Sequence, residues 1–513
     1  MSASPPPAQQ PLLTPRQQLV ATFLLAFGNF MVVLDLTIAN VSVPHISGNL
    51  GISLDQGAWI ITSYAVAEAI CVPLTGWLAT RFGVVRVFTG AMAGFGLFSL
   101  FCGLAPTLGV LVACRVGQGL CGAPIMPASQ TLLYQLFEPK KRARVMAIWS
   151  MTTMLGPATG PILGGFISDN FSWHWIFLIN VPIAIVCCYV AALVLRRAET
   201  PTTRQPIDAI GLALLVFWIG CLQIMLDLGN DRDWFGDWQI VALAIGAAVG
   251  FCVFVIWELT EEHPVVDLRI FRHRGLTVSV ITLSLCFGGY FAGIVVIPQW
   301  LQTTMGYPAT LAGLATAFTA VTGIVASPFA ARWASRIDTR LMISGAVVWI
   351  AMCTFARSAW STQSDFWHLA LPQIAQGFAM PAFIIPLSIT ALNSVEPQET
   401  AAAAGMQSFL RTIAVAVSTS LVLTYWSHGQ RTANAGLVGT IDPAVVRPVL
   451  EGAGLAGQAA TATLANAVDV QARTIALDKT FLVAALIQVF VIALIWLAPR
   501  VRPRGLDQAA AAH

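Results

Sequence analysis

Fourteen apolar segments, each long enough to cross a bilayer, leave this 513-residue chain few folds to adopt. A spanning helix needs roughly 20 mostly apolar residues. The chain offers them at 18–40, 57–79, 85–105, 109–132, 143–167, 175–195, 208–227, 238–258, 276–298, 309–331, 339–358, 367–392, 400–426 and 480–498. Hydrophobic residues make up 57% of the chain and charged ones only 10%, whereas a soluble domain carries about 25% charged residues. A chain this apolar cannot cover a water-facing surface. In hydrocarbon the backbone must satisfy its own hydrogen bonds, which helices do within one segment. The expected class is therefore an all-α integral membrane protein with fourteen transmembrane helices.

Other classes fall away quickly. The net charge of +3 is small and no basic block points to nucleic acid. All ten cysteines lie inside apolar segments without a CxxC pair, so they read as small buried hydrophobes, and no metal site is expected. No GxxxxGK[ST] loop argues for ATP-driven pumping. A membrane enzyme would need a cluster of His, Ser, Asp or metal ligands at one membrane face, and the sequence shows none. Residues 1–17 begin Pro-rich, lack the features of a cleaved signal and are expected to be disordered.

Basic residues set the expected orientation. With the N-terminus in the cytoplasm, nineteen of the 27 Lys and Arg fall on the inside. Five fall outside, Arg357 sits near the outer edge, and Arg115 and Arg411 lie within spans. The positive-inside rule favours this arrangement, so both ends, including the tail 499–513, are expected in the cytoplasm. The segment 427–479 is then a long outer loop, either a partly disordered connection or a docking surface, in which 455–477 is able to form helix.

Gln118-Gly119 and Glu138-Pro139 recur as Gln376-Gly377 and Glu396-Pro397, each shifted by 258 positions. A weaker echo links 73-PLTGWLATR-81 to 328-PFAARWASR-336. The repeat implies two six-helix halves, 18–197 and 275–498, with spans 7 and 8 inserted between them in 198–274. Halves of this kind suit alternating access, with a cargo site between them near mid-membrane.

Several motifs now carry a family resemblance. In order they are 34-LDLTIANVSVP-44, 76-GWLATRFGVVR-86, 111-LVACRVGQGLCGA-123, 156-GPATGPILGG-165 and 173-WHWIFLINVP-182. Together they resemble the signatures of the major facilitator superfamily, in its fourteen-span drug:proton antiporter branch, and are especially similar to the EmrB-type multidrug exporters. The resemblance implies export of hydrophobic and amphipathic toxic compounds. It needs no cofactor, since the proton gradient would supply the energy. It also implies two partners, a periplasmic adaptor of the EmrA type, with the 427–479 loop as the contact, and an outer-membrane channel of the TolC type. A carrier for one defined metabolite, fatty acid or siderophore is the alternative on the same fold. The loop signature, with Gly76, Arg81, Gly83 and Arg86, normally carries an aspartate where this chain has Thr80, which puts that charge interaction in doubt.

An arginine at the centre of a membrane helix costs between about 3 and more than about 10 kcal/mol, so Arg115 needs a reason. Asp35 and Arg115 each lie ~13 Å from the outer ends of their segments at 1.5 Å per residue, and so share a depth. Desolvation favours the neutral acid and a neighbouring arginine favours the carboxylate. That balance is one way to poise Asp35 for proton exchange. Asp35 is therefore expected to carry the coupling proton, with Arg115 tuning it and Glu68 as a third ionisable group; a purely structural ion pair is the alternative. Arg411 is read as the only deep charge of the second half, attracting anionic cargo or bonding helix carbonyls. Gln118, Gln376, Trp149, Met151, Met406 and Phe409 are candidate cavity residues, with Met154, Phe291 and Trp300 as further aromatic or thioether candidates. In the fifth span Gly156, Gly160, Gly164 and Gly165 would allow close helix approach, and Pro157 and Pro161 favour a bend.

Overall fold

The computed structural model describes residues 13–203, 206–230, 232–334, 336–440, 446 and 458–496. The first twelve residues, the tail at 499–513 and most of 441–457 lie outside the described residues, as do the side chains of Pro161 and Phe291. The first six spans are α1 (Pro15–Leu50), α2 (Leu54–Cys71) continued by α3 (Thr75–Phe82), α4 (Val84–Gly103), α5 (Leu108–Gly122) continued by α6 (Ile125–Leu136), α7 (Pro139–Asn170), and the short α8 (Trp175–Leu178) leading into α9 (Asn180–Val194). Two more, α10 (Ala209–Leu228) and α11 (Trp238–Thr260), come next. The last six are α12 (Arg274–Thr303), α13 (Ala309–Ala334), α14 (Thr339–Arg357), α15 (Phe366–Asn393), α16 (Thr400–Thr440) and α17 (Gln458–Ile495). Each expected span falls on one of these helices or on a broken pair.

The breaks and starts follow from local chemistry. Pro73 removes a backbone donor, and the chain passes through a 3₁₀ turn at Val72–Leu74 between α2 and α3. Pro124 does the same between α5 and α6. Thr14 and Ser53 cap α1 and α2 in reciprocal boxes with Gln17 and Gln56, satisfying otherwise orphaned N–H groups. Asp208, Asp237, Asp338 and Asp365 cap α10, α11, α14 and α15 through their carboxylates.

Among the described residues, thirteen helices are long and apolar enough to cross a membrane. The remaining expected span, α7, is not among them; it packs along both α1 and α13, which cover much of its surface, while Ile162 and Phe166 stay exposed. The α7–α13 contact joins the first six spans to the last six, and α3 against α16 does so at the other side. The pair α10 and α11 pack on each other, and α10 also lies against α2. Their outer faces carry exposed apolar side chains such as Phe217 and Ile256, which suits a lipid solvent.

Three expectations change. The helix α1 runs through Pro44 to Leu50, so Asp35 sits deeper than counting from Pro44 suggests. The outer loop 427–479 is largely two helical extensions: α16 has 41 residues and α17 has 38. At 1.5 Å per residue each is nearly 60 Å long, about twice the hydrocarbon thickness. The extensions pair through Gln430 Nε2 to Asp469 (2.9 Å) and Trp426 Nε1 to the Arg473 carbonyl (3.1 Å), and Asp469 is held in turn by Arg473 one turn along its own helix (2.7 Å). Finally, Arg357 is no edge residue: its side chain turns inward and is 2% exposed. Arg411 is therefore not the only deep charge of the second half.

Candidate functional site

Asp35 and Arg115 form a buried ion pair, Arg115 Nη1 to Asp35 Oδ2 at 2.6 Å, with exposures of 1% and 0%. The other carboxylate oxygen accepts from Gln118 Nε2 (2.9 Å) and Asn180 Nδ2 (2.8 Å). Arg115 also donates to Gln118 Oε1 (2.8 Å) and from Nε to the Ile60 carbonyl (3.1 Å). Its guanidinium carbon stands 4.2 Å from the Tyr64 ring centre and 5.5 Å from that of Phe177. Four spans contribute, α1, α2, α5 and α9. The three-residue step from Arg115 to Gln118 puts both side chains on one helix face, which is why one short motif supplies two of the partners. The carboxyl of Asp35 is thus bonded by three side chains, one of them a guanidinium.

Ser99 Oγ accepts from Gln118 at 2.7 Å, which holds the amide in register. Neither Ser99 nor Asn180 stood out in the sequence as functional. Asn180 lies inside the WHWIFLINVP motif, where an asparagine in an apolar run was the available signal.

A cavity of about 800 Å³ opens between the two groups of six spans at the end that carries Asn230, Ser427 and Arg473. Leu36 and Glu68 lie at its inner part, and Gln223 and Asp227 of α10 form one wall. Beside them, and bonded to α10 through Ser420 Oγ to the Leu226 carbonyl (2.8 Å), α16 presents Thr412, Val415, Ala416, Thr419, Ser420, Leu423, Trp426, Ser427 and Gln430. These recur at helical spacing, a mostly polar stripe in an apolar segment that periodicity alone would have revealed. Glu68 thus reaches the cavity, whereas Asp35 is sealed just behind it.

The expected cavity residues sit elsewhere. Trp149 is in the core of the first six spans and donates to Ser129 Oγ at 3.0 Å. Met406 and Phe409 pack against Trp218 of the inserted pair. Met151 is half-buried on α7 outside the cavity wall. Met154 packs in the core of the last six spans and Trp300 donates to Thr474 at 3.3 Å. Gln118 is committed to Asp35, and Gln376 accepts from Arg357. Arg411 is next to the lining residue Thr412 but turns to Met126 Sδ and the Phe287 ring. Large apolar residues made close protein contacts, and polar ones face the opening.

The other end of the bundle is closed. A Cβ built at Gly76 would stand 2.7 Å from Ala402 Cα, so α3 and α16 touch backbone to backbone there. Tyr134 Oη donates to Asn393 Oδ1 across the same interface, and Arg142 Nη1 reaches that oxygen at 3.3 Å. Thr80 bonds within its own helix, to the Gly76 carbonyl at 3.0 Å. The carboxylate at this face comes instead from Glu199, which accepts from the backbone N–H groups of Val85 (3.0 Å) and Arg86 (3.1 Å) and caps α4. Gly83, at φ 90°, leaves room for it. Arg86 is largely exposed, 3.9 Å from Glu199, and Arg81 stacks near Trp77 at 5.3 Å.

On α7, Gly156, Gly160 and Gly164 all face α1: added Cβ atoms would press on Val33, Thr37 and the Ile38 carbonyl. Thr37 Oγ1 donates to the Gly156 carbonyl at 3.1 Å across this seam. Gly165 departs from the expectation, because nothing lies within 4 Å of a Cβ there; it is one residue off the contact face. The helix continues through Pro157 and Pro161 without a break.

This arrangement of membrane-length helices, a cavity between two groups of six spans and a buried ion pair behind it belongs to a multi-pass transporter of the inner membrane. Residues 25–419 match the Major Facilitator Superfamily, and the chain belongs to that family. It is 41% identical over 496 residues to the multidrug export protein EmrB of Escherichia coli strain K12, covering 96% of this chain and 97% of that one. It is 38% identical to the fatty acid resistance protein FarB of Neisseria gonorrhoeae, over 93% and 95% of the two chains. Among solved structures, the proton:xylose symporter XylE shares the fold with a TM-score of 0.60 at 13% identity, over 97% of this chain and 99% of that one.

Proposed function

We propose that this protein is a proton-coupled antiporter that exports hydrophobic and amphipathic toxic compounds by alternating access. The observation that carries the reading is a buried Asp35–Arg115 pair set directly behind a cavity open at one end of the bundle only. In the open state the Asp35 carboxyl is held by Arg115, Gln118 and Asn180. Glu68, at the inner part of the cavity, is the carboxylate that passes the proton on toward Asp35. A proton passed inward releases Arg115 from Asp35 and loosens the packing of α1, α2, α5 and α9. Cargo favours one of the two charge states, which couples its movement to the proton gradient without any cofactor.

The relative named for multidrug export supports the cargo class, and the basic residues support an outward-facing opening, with Gly76 and Tyr134 at the cytoplasmic end. The relative named for fatty acid resistance favours a second reading, export of a defined long-chain acid, on the same fold. The extensions of α16 and α17 beyond the bilayer are the surface an EmrA-type adaptor would grip, on the way to a TolC-type outer-membrane channel. The test is dye uptake into inverted membrane vesicles, whose outer surface is the cytoplasmic face, energised with a proton gradient. Wild type accumulates dye only while the gradient stands, and Asp35→Asn does not; gradient-independent movement would refute the proposal.

A further inference from the structure

The last six spans hold a second buried guanidinium, and it lacks what Arg115 has. Arg357 Nη2 donates to Gln373 Oε1 at 2.8 Å and to Gln376 Oε1. Its Nε is buried without a partner. Among the described residues no carboxylate lies within 4.0 Å of it. The shift of 258 that relates Gln118 to Gln376 also carries Arg115 onto Gln373. The repeat therefore keeps a glutamine-bound arginine in each half, supplied by α5 in one and by α14 in the other. The acid is not repeated. Where α1 presents Asp35, the first helix of the second half, α12, presents Gly289 and Gly293.

Between those glycines and Arg357 is a small, largely enclosed void of about 10 Å³, walled by Thr354, Thr480, Phe481 and Ala484 among others. A void of this size takes one water-sized occupant. The hydroxyls of Thr354 and Thr480 are already donated to helix carbonyls, at 2.9 and 2.7 Å. The Phe481 ring centre is 5.9 Å from the guanidinium carbon. A buried charge with no counter-charge is strongly destabilising, and two neutral amide oxygens do not cancel it. We propose that the void beside Arg357 holds a small monovalent inorganic anion such as chloride, which stands in the second half where Asp35 stands in the first. An organic carboxylate cargo is too large for the void.

The test uses the purified full-length protein in lipid nanodiscs, with chloride exchanged for gluconate at constant ionic strength. Wild type should show an unfolding midpoint that rises by a few degrees with chloride and saturates, as binding to the folded state requires, and bromide should substitute. Gly293→Asp supplies an internal counter-charge, and the site has room: the nearest atom to a Cβ there is Arg357 Nη1 at 3.8 Å. That variant, like Arg357→Gln, should lose the chloride response. A flat wild-type midpoint would mean that water alone fills the void and would overturn the proposal. So would a saturable response unchanged in either folded variant, which would place the anion elsewhere. Should neither variant fold, an anomalous bromide peak beside Arg357 Nε in wild-type crystals supports the assignment, and its absence at saturating bromide refutes it.

Discussion

Leu36 lines the open cavity, and Asp35, its neighbour on the same helix, is sealed behind it at 1% exposure. One residue of helix rotation, about 100°, separates the wall from the ion pair. A turn of α1 of about that size against α7 would exchange them, and the Gly156–Gly160–Gly164 seam is the surface on which that turn has to occur.

Asp35→Asn strands the Arg115 charge. Breaking one partner of a buried pair costs about 3–5 kcal/mol. The single variant should therefore unfold at markedly lower temperature, while Asp35→Asn with Arg115→Gln recovers most of the loss. Neither should transport against a gradient. Thermal unfolding read alongside vesicle efflux separates the two effects; a double variant that transports normally would make the pair structural only.

Glu68 is half-buried on the cavity wall, so Glu68→Gln should leave folding within about 0.5 kcal/mol of wild type. Efflux should fall roughly 10-fold or more, within the range for removal of a proton-transferring group. Initial rates in vesicles across a pH series check this.

At the closed end, a side chain at Gly76 meets the Ala402 backbone. Gly76→Val should push α3 from α16 and bias the bundle toward opening at this end. Spin labels placed on residues flanking Asn393 and Tyr134 would report a longer distance in the variant; an unchanged distance distribution would show that the contact does not hold the end shut.

Gly160→Leu should block the α1–α7 seam at Thr37, abolishing efflux while the protein still inserts. Gly165→Leu, one residue beyond the contact face, should transport almost normally. Efflux assays on the two, matched for expression, test the seam with its own control.

Much of this was legible in the sequence because bilayer physics leaves strong marks. The fourteen spans follow from apolar length, and the Asp35–Arg115 pair from two opposite charges set well inside antiparallel spans, although the depth counted from Pro44 fails because α1 continues to Leu50. Glu199 was not legible as the α4 cap, since it lies more than a hundred positions from Arg86 and only folding brings it there. Arg357 was misjudged because its backbone does end a helix while its side chain turns inward. The cavity was sought in bulky aromatic and thioether residues, which close packing had already claimed. Its wall is instead a polar stripe on α16, visible as a period in the sequence but easily passed over among small residues.

The most direct test is gradient-driven transport by purified protein in proteoliposomes, comparing wild type with Asp35→Asn. Wild type should accumulate dye only under an imposed pH gradient, and the variant should match wild type with the gradient collapsed. Equal transport by wild type with and without the gradient, or by the variant with it, would contradict the account.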